Sequence, residues 1–388
     1  MSHVTHYRHG GLLHAYGPYA REIDVWADLF SHVVVAAPCR DERPPGDCLP
    51  FGRPNISIAQ QPEIPEATGR LRVAQVLALP RSIYQLARAM RQADAIHVRC
   101  PGNLGLLGAL LAPLFSRRLT AKYAGQWNGY PGEPWTLRLQ RFLLRAAWRR
   151  GPVTVYGEWA GQPSHIVAFF TSMMTAQQVA YAGMAATRRR IGDPLRILFT
   201  GRLVPAKRVD VLLEGAKLLR ERNVGFQLAI VGDGPDMRRL RRSTELLGLS
   251  ESVQFVGGVP FDSVLPWYDW AHCLVLPSLS EGWPKAIAEG MCYGLVCVAV
   301  DHGHVSSMLS GRGILLSTST AEEIADSLES VAREPERYDL LMRRASEWAR
   351  QYSVEGLRAA LADLLVRHWG EELGEASDEV STEGAYRA

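Results

Sequence analysis

Two carboxylates, Glu281 and Glu289, stand eight positions apart in the run SEGWPKAIAEGMCYG, residues 280–294. The apolar run before them, 273–277, reads as a buried strand and residues 280–283 as a loop. Pro284 suits the first position of a helix, where its missing N–H is not needed. Glu281 then lies in the loop facing the helix N-terminus, and Glu289 lies about five residues on, roughly 7 Å along the axis at the standard rise. One acid can reach each end of an elongated polar ligand that also meets the free backbone N–H groups. Paired acids at helical spacing are also what a solvated helix face presents.

Upstream stands LFTGRLVPAKRVDVLLEGAKLL, residues 198–219. A strand at 196–200 runs into Gly201 and Arg202, then a short loop with Pro205 and Lys207. An amphipathic helix follows, with Val209, Leu212, Leu213, Ala216 and Leu219 on one face. Two cations beside a helix N-terminus, at the C-terminal end of a parallel-type strand, are where an open α/β sheet binds phosphates.

The elements that must position these groups alternate cleanly. Strands are expected at 196–200, 226–231, 253–256, 273–277, 296–300 and 314–316, with helices near 208–222, 235–247, 263–271 and 284–293. That is a doubly wound parallel sheet. Gly232-Asp233-Gly234 is too short for a dinucleotide fingerprint, so hydride chemistry has little support. Helices at 321–333, 335–352 and 354–369 follow, and the acidic tail 371–388 lacks an apolar pattern, which predicts disorder.

The first half is less regular. His3, His6, His9 and His14 cluster without metal-site spacing or a carboxylate partner. Gly10-Gly11 precedes a helix expected at 19–30 and a strand at 32–37, while the usual first strand of such a fold is weak or missing. A short strand near 55–59 and a helix at 81–91 lead to a strand at 93–100, near whose C-terminal end His97 and Arg99 alternate to one face. After a helix at 105–115, the strand 119–124 ends in Gln126, Trp127 and Asn128. An aromatic face with amide donors suits a carbohydrate ring, and a structural loop has the same composition. Helix 133–150 carries Arg138, Arg141, Arg145 and Arg149 in one stripe and Trp135, Leu139, Phe142 and Ala146 in another. That pattern can lie on an anionic membrane surface, and it is more commonly a core-packing helix with a solvated arginine face. Strands at 153–156 and 165–170 close the first domain, and 185–194 reads as a linker.

Length and composition set the frame. A chain of 388 residues predicts two domains, and 47% apolar with 21% charged residues is an ordinary globular mix. A net charge of +3, with no basic tract interleaved with aromatics, gives no case for nucleic acid. The six cysteines form no C-x-x-C pair, which fits a reduced cytosolic compartment. The N-terminus has no apolar signal-type run, and residues 104–115 are too short to span a bilayer and contain Pro113.

Four segments, GRLVPAKRVDVLLEG, VGDGP, VQFVGGV and EGWPKAIAEGMCYG, together resemble the retaining glycosyltransferases of family 4 over residues 196–317. The resemblance implies the α/β GT-B fold: two Rossmann-like doubly wound domains facing a cleft, with a last helix crossing back to the first. On that basis 1–192 is the acceptor-binding domain and 193–335 the nucleotide-sugar donor domain. Residues 336–369 are the returning helices and 370–388 the tail. It implies catalytic roles for Arg202, Lys207 and Glu281, and in the first domain for His97 or Arg99. A sugar-facing His-x-His-like pattern stands there in the family, and Arg99 replaces its second histidine. Donor contacts are implied for Gly10 and Gly11 (with Gly17 as second choice), Gly201, Gly232, Val256, Gly257, Gly282, Trp283, Pro284, Lys285 and Glu289. Gln126, Trp127 and Asn128 are the acceptor candidates.

The expected reaction transfers a sugar, with retained configuration, from a UDP-, GDP- or ADP-sugar to a glycan or lipid-linked acceptor in cell-surface polysaccharide biosynthesis. The nucleotide sugar is a co-substrate, and no bound cofactor or metal is implied. The two cations would do the work of a divalent ion, since no Asp-x-Asp motif lies near the site. A cytoplasmic enzyme is expected, with a peripheral position on the inner face of the membrane through helix 133–150. A nucleotide-sugar synthase or epimerase of the same fold and a non-catalytic sugar-nucleotide-binding partner are the alternatives.

Overall fold

The computed structural model describes residues 1–63, 71–130, 132–146, 148 and 151–370, and the side chains of 71–78 are left aside. The expected disorder of 371–388 and the Arg149 end of the basic helix lie outside the described residues. The chain divides into two compact units. One is Met1–Phe170, rejoined by the chain from Leu357, and the other is Thr171–Gly356. Residues 171–192, expected in the first domain, and 336–356, expected to return to it, both group with the second unit.

In chain order the first unit holds β1 (His6–His9), β2 (Leu12–Tyr16), α1 (Gly17–Ala27), β3 (Val33–Ala37), β4 (Cys39–Arg40), β5 (Cys48–Pro50) and β6 (Ile56–Gln60). It continues with α2 (Leu71–Met90), β7 (Ala95–Cys100), α3 (Asn103–Leu111), β8 (Arg118–Tyr123), α4 (Trp135–Ala146), β9 (Val153–Tyr156) and β10 (Ile166–Phe169). Strands β7 to β10 form one parallel sheet in the order β10-β9-β8-β7, and β3 pairs in parallel with β6. Residues Met1 and Ser2 stand between these two sheets. The Ser2 N–H donates to the Ala36 carbonyl, the Met1 amine to the His97 carbonyl, and the Arg99 N–H to the Met1 carbonyl. Where the usual first strand of such a fold was expected to be weak or missing, Met1 and Ser2 bond to both β3 and β7. Its core gathers Val98, Leu119, Ala121, Tyr123, Trp127, Leu144 and Val153.

The second unit holds α5 (Ala176–Arg188), β11 (Leu195–Thr200), α6 (Val209–Glu221), β12 (Phe226–Val231), α7 (Met237–Leu246), β13 (Val253–Gly257) and α8 (Phe261–Trp270). Then come β14 (Cys273–Leu276), α9 (Lys285–Cys292), β15 (Val296–Val300), α10 (Val305–Leu309), β16 (Ile314–Leu316), α11 (Ala321–Arg333) and α12 (Asp339–Ala349). All six strands are parallel, in the order β13-β12-β11-β14-β15-β16. Their near-continuous apolar sequences are what burial on both faces requires. The order reverses between β11 and β14, and ligands bind doubly wound sheets outside the carboxyl ends of the strands at such a switch point. The last helix, α13 (Val354–Trp369), groups with the first unit from Leu357, where Trp369 meets Phe30 edge-on at 6.3 Å. Each unit is an α/β domain built on a parallel sheet, as the resemblance implies.

Two helices differ from expectation. Helix α2 begins ten residues before 81, with Pro80 inside it rather than at its start. The segment 335–352 is a 3-10 turn at Pro335–Tyr338 followed by α12.

Candidate functional site

The loops after β11 and β14 flank the switch point, and each supplies one of the expected charged groups. After β11 the chain passes Gly201 and Arg202, turns through a 3-10 helix at Pro205–Lys207, and enters α6 through Arg208 in the left-handed conformation. After β14 it passes residues 277–284 into α9, with Pro284 as the N-cap rather than the first helical residue. The Leu279 N–H donates to the Ala206 carbonyl at 2.9 Å, which ties the loops through backbone. The Lys207 ammonium forms an ion pair with Glu281, with side chains 24% and 11% exposed. Arg202 is exposed on the same turn, with no side-chain ion pair among the described residues.

Glu289 is the fifth residue of α9 and is buried. The fully buried Tyr268 of α8 donates its hydroxyl to the Glu289 carboxylate at 2.6 Å. Burial, then the facing carboxylate, pushes the Tyr268 phenol well above its ordinary range, so it stays a donor. Sequence reasoning missed Tyr268, whose only signal is a polar group in an aromatic run, FDSVLPWYDW.

Trp283 does not project into solvent. Its ring stacks at 5.2 Å on His304 and at 6.3 Å on Trp348, and meets Tyr352 edge-on at 4.9 Å. The ring therefore anchors the loop, leaving Gly282 and the N–H groups entering α9 as the parts that can meet a ligand. Burial, then Arg312, lowers the His304 pKa to about 4, so its ring is neutral in this stack. Lys285, the first residue of α9, is half-buried.

The remaining expected donor residues line the neighbouring strand ends. The Gly201 N–H donates to Val231, the Gly232 N–H to the Gly257 carbonyl at 2.8 Å, and the Leu203 N–H to Asp233. A Cβ on Gly232 would land on the Gly201 carbonyl oxygen, and one on Gly234 on that of Leu203. Glycine is required there for close backbone approach. Val256 and Gly257 are half-buried at the end of β13.

The first-unit expectations fare differently. Gly10 and Gly11, at φ +59° and +77°, form the two-residue turn of the β1–β2 hairpin. The glycine that opens α1 is Gly17, the second choice. Arg99 is not a free cation, because its guanidinium donates to both oxygens of Glu22 at 3.0 Å. Lys122 joins the same carboxylate at 3.0 Å. Burial pushes the Glu22 pKa up, but the charges of Arg99 and Lys122 outweigh it and hold it at about 2. The sequence reading passed over Glu22 and Lys122, since one lies on a helix face and the other inside an apolar strand. His97 sits on Trp26 at 4.4 Å with Nδ1 2.8 Å from the Thr120 hydroxyl, and burial holds it neutral.

Trp127 cannot present a face to a sugar. It is 1% exposed, in the core, with Tyr123 edge-on at 5.3 Å and Arg145 over its ring at 4.8 Å. Gln126 is buried and Asn128 half-buried beside it. Helix α4 does not turn its whole arginine stripe outward: Arg138 is exposed, but Arg141 is not. Arg141 is buried against Glu133 and Tyr123, whereas Trp135 and Phe142 are 70% and 64% exposed. No cluster of three or more metal-ligating side chains occurs among the described residues, and no described helix is long and apolar enough to cross a membrane.

Residues 194–334, within the second unit, match the model of the family described as Glycosyl transferases group 1. The chain is 28% identical over 184 residues to the putative colanic acid biosynthesis glycosyltransferase WcaL of Salmonella typhimurium, a match covering 45% of this chain and 45% of that protein. It thus spans under half the length of that relative. Among solved structures it is similar to HepE of Anabaena in complex with UDP and glucose. The TM-score is 0.66 at 16% identity, over 90% of this chain and 95% of that one. It is also similar to sucrose-phosphate synthase from Thermosynechococcus elongatus, with a TM-score of 0.69 at 17% identity, over 90% and 92%. At such identities the likeness concerns the fold.

Proposed function

We propose that this chain transfers a sugar from a nucleotide-sugar donor to a glycan or lipid-linked acceptor, with retained configuration, in the assembly of an exported polysaccharide. The observation that carries the reading is the Lys207–Glu281 pair at the switch point, beside the α9 N-terminus and the Tyr268–Glu289 hydrogen bond. Arg202, Lys207 and the first N–H groups of α9 would take up the charge of the departing diphosphate, the work that a divalent ion does in other transferases. Glu289, held by Tyr268, would accept from the ribose hydroxyls, and Glu281 from a donor-sugar hydroxyl. The nucleotide base would rest on the backbone of Val256 and Gly257.

A UDP-hexose is the donor favoured here, because HepE, similar in fold, is described with UDP and glucose. The polysaccharide context is supported by the likeness to a colanic acid enzyme. A cytoplasmic position at the inner membrane face is part of the same reading, and the exposed Trp135 and Phe142 of α4 support it.

Isothermal titration with UDP, GDP and ADP on the wild type, Lys207→Ala and Glu289→Ala tests the site. Tight binding of one nucleotide, weakened in both variants, is the expected result. No nucleotide binding by the folded wild type sinks the reading.

A further inference from the structure

Helix α4 carries three arginines, and among the described residues the one carboxylate that pairs with any of them is Glu133, just before its start. Arg141 donates from both guanidinium ends to both oxygens of Glu133. Arg138 reaches the same carboxylate only at 3.7 Å, with its side chain 65% exposed. Arg145 has no ion pair among the described residues, and its Nε is shut off from water without a hydrogen-bond partner. Burial first and the neighbouring Arg141 second lower the Arg145 pKa, and no acid counters them. The ring of Trp127 lies 4.8 Å from this guanidinium, which stabilises the cation without neutralising it. Two positive charges are therefore left over on one helix.

The stripe stands at the ligand-holding end of the first sheet. Arg141 donates to the Tyr123 hydroxyl at 3.2 Å, and Tyr123 is the last residue of β8. Trp127, under Arg145, lies in the loop that follows. A Cβ on Gly129 of that loop would meet Glu133 at 3.4 Å and Arg141 at 3.5 Å. These residues end or follow β8, and the carboxyl ends of parallel strands are where such sheets bind ligands.

Helical geometry sets what lies on either side. At about 100° per residue, Arg138 and Arg145 share one row, with Arg141 about 40–60° round one way and Trp135 and Phe142 about 40–60° round the other. Exposure follows that order. Arg141 has 8% of its side chain exposed, Arg145 is half-buried and Arg138 is at 65%, while Phe142 and Trp135 stand at 64% and 70%. Two guanidinium groups without a full counter-charge thus border two exposed rings. That arrangement matches an amphiphile with a charged head beside a hydrocarbon chain, and guanidinium forks suit phosphate oxygens. A diphosphate joining a sugar to a lipid carries about two negative charges, equal to the surplus, whereas a phospholipid phosphodiester carries about one.

We propose that α4 holds the head of a lipid-diphosphate-linked acceptor. Its phosphate oxygens are taken by Arg138 and Arg145, and the start of its hydrocarbon chain lies over Phe142 and Trp135. Arg141 is a positioning residue, keeping Glu133 occupied so that this carboxylate does not neutralise the outer two arginines. The word acceptor rests on the glycosyltransferase reading, and the rest on α4 and the loop after β8.

The full chain is titrated by calorimetry with geranyl diphosphate, inorganic pyrophosphate and geraniol, with saturating UDP present to occupy the donor site. Should UDP not bind, Lys207→Ala replaces it as the control for that site. Geranyl diphosphate is expected to bind, pyrophosphate to bind about tenfold more weakly for want of the apolar contact, and geraniol to give no heat. Arg138→Gln and Arg145→Gln should each lower geranyl diphosphate affinity about tenfold and leave UDP affinity unchanged. Trp135→Ser with Phe142→Ser should bring geranyl diphosphate down to the affinity of pyrophosphate. Pyrophosphate binding as tightly as geranyl diphosphate overturns the lipid assignment, and an unchanged affinity in Arg138→Gln overturns the site. Arg138 is exposed, so this variant decides if Arg145→Gln fails to fold. Phosphatidylserine vesicles that bind through Arg138 while geranyl diphosphate does not bind show a general anionic surface contact, and overturn the proposal. UDP binding without geranyl diphosphate binding sinks this site alone, and geranyl diphosphate binding without UDP binding sinks the donor reading.

Discussion

The ammonium of Lys207 and the carboxylate of Glu281 join two loops that are 74 residues apart in sequence and adjacent across the switch point of the second sheet. Each group holds the other, partly screened from water, where a ligand phosphate would compete for the lysine. Replacing Lys207 by Ala is expected to weaken nucleotide-diphosphate binding by ten- to hundredfold, from the loss of about 1.5–3 kcal/mol of charge-assisted hydrogen bonding. Calorimetry with UDP checks it, and an unchanged affinity would count against a phosphate role for this lysine.

Tyr268→Phe removes the phenol hydroxyl that donates to the buried Glu289 carboxylate. The variant should lose about 1–3 kcal/mol of unfolding free energy in urea. It should also bind UDP more weakly, because Glu289 is no longer held. Loss of stability with unchanged UDP affinity would make the pair purely structural.

The cluster around Glu22 gives an acid-side prediction. Its folded pKa of about 2 lies below the ordinary 4.5, so the unfolded chain takes up the proton first as pH falls. The stabilisation is complete above pH 4.5 and is lost as pH drops toward 2. Glu22→Gln should abolish that segment of the stability profile. At neutral pH it should cost roughly 3–5 kcal/mol, since Arg99 and Lys122 lose their shared counter-charge. Denaturant unfolding at stepped pH measures both.

Three histidines act in a higher window. Burial foremost lowers His6, His272 and His304 from 6.5 to about 4, with Arg196 and Arg189 adding to it at His272. The unfolded chain protonates them near pH 6.5 and the folded chain near pH 4, so stability should fall as pH drops through that interval. His272→Gln should make the fall shallower by about one proton's slope.

The exposed stripe of α4 makes a separate claim. Trp135 and Phe142 face out together, with Arg138 also exposed, the composition of an interfacial helix. Flotation with vesicles containing phosphatidylserine should recover the wild type, and the double variant Trp135→Ser, Phe142→Ser should stay at the bottom. Equal recovery of both, or of neither, would remove the membrane contact from the proposal.

The second unit was legible because its signals are local. Buried parallel strands read as apolar runs, glycines mark the strand ends, and Arg202, Lys207, Glu281 and Glu289 lie in the loops and the helix that directly follow β11 and β14. The first unit was less so because its arrangement is set by packing. Arginine stripes and aromatic stripes at the same helical period do not say which faces inward, and the buried Glu133 decided it for Arg141. Arg99 reads as a free cation until Glu22, 77 positions away, is seen against it. Met1 and Ser2 carry no strand pattern, and only their hydrogen bonds reveal the link to β3 and β7.

The backbone of Gly232 lies against the Gly201 carbonyl, and that of Gly234 against the Leu203 carbonyl, with no room for even a methyl group. Drift at these two positions is therefore barred by sterics whatever ligand the site takes. The ring-bearing and charged side chains around them carry no such veto. An engineer seeking a new ligand preference should leave this pair of glycines fixed and diversify the loop of Gly282 to Lys285, where sequence can change without first undoing the crossing of two chain segments.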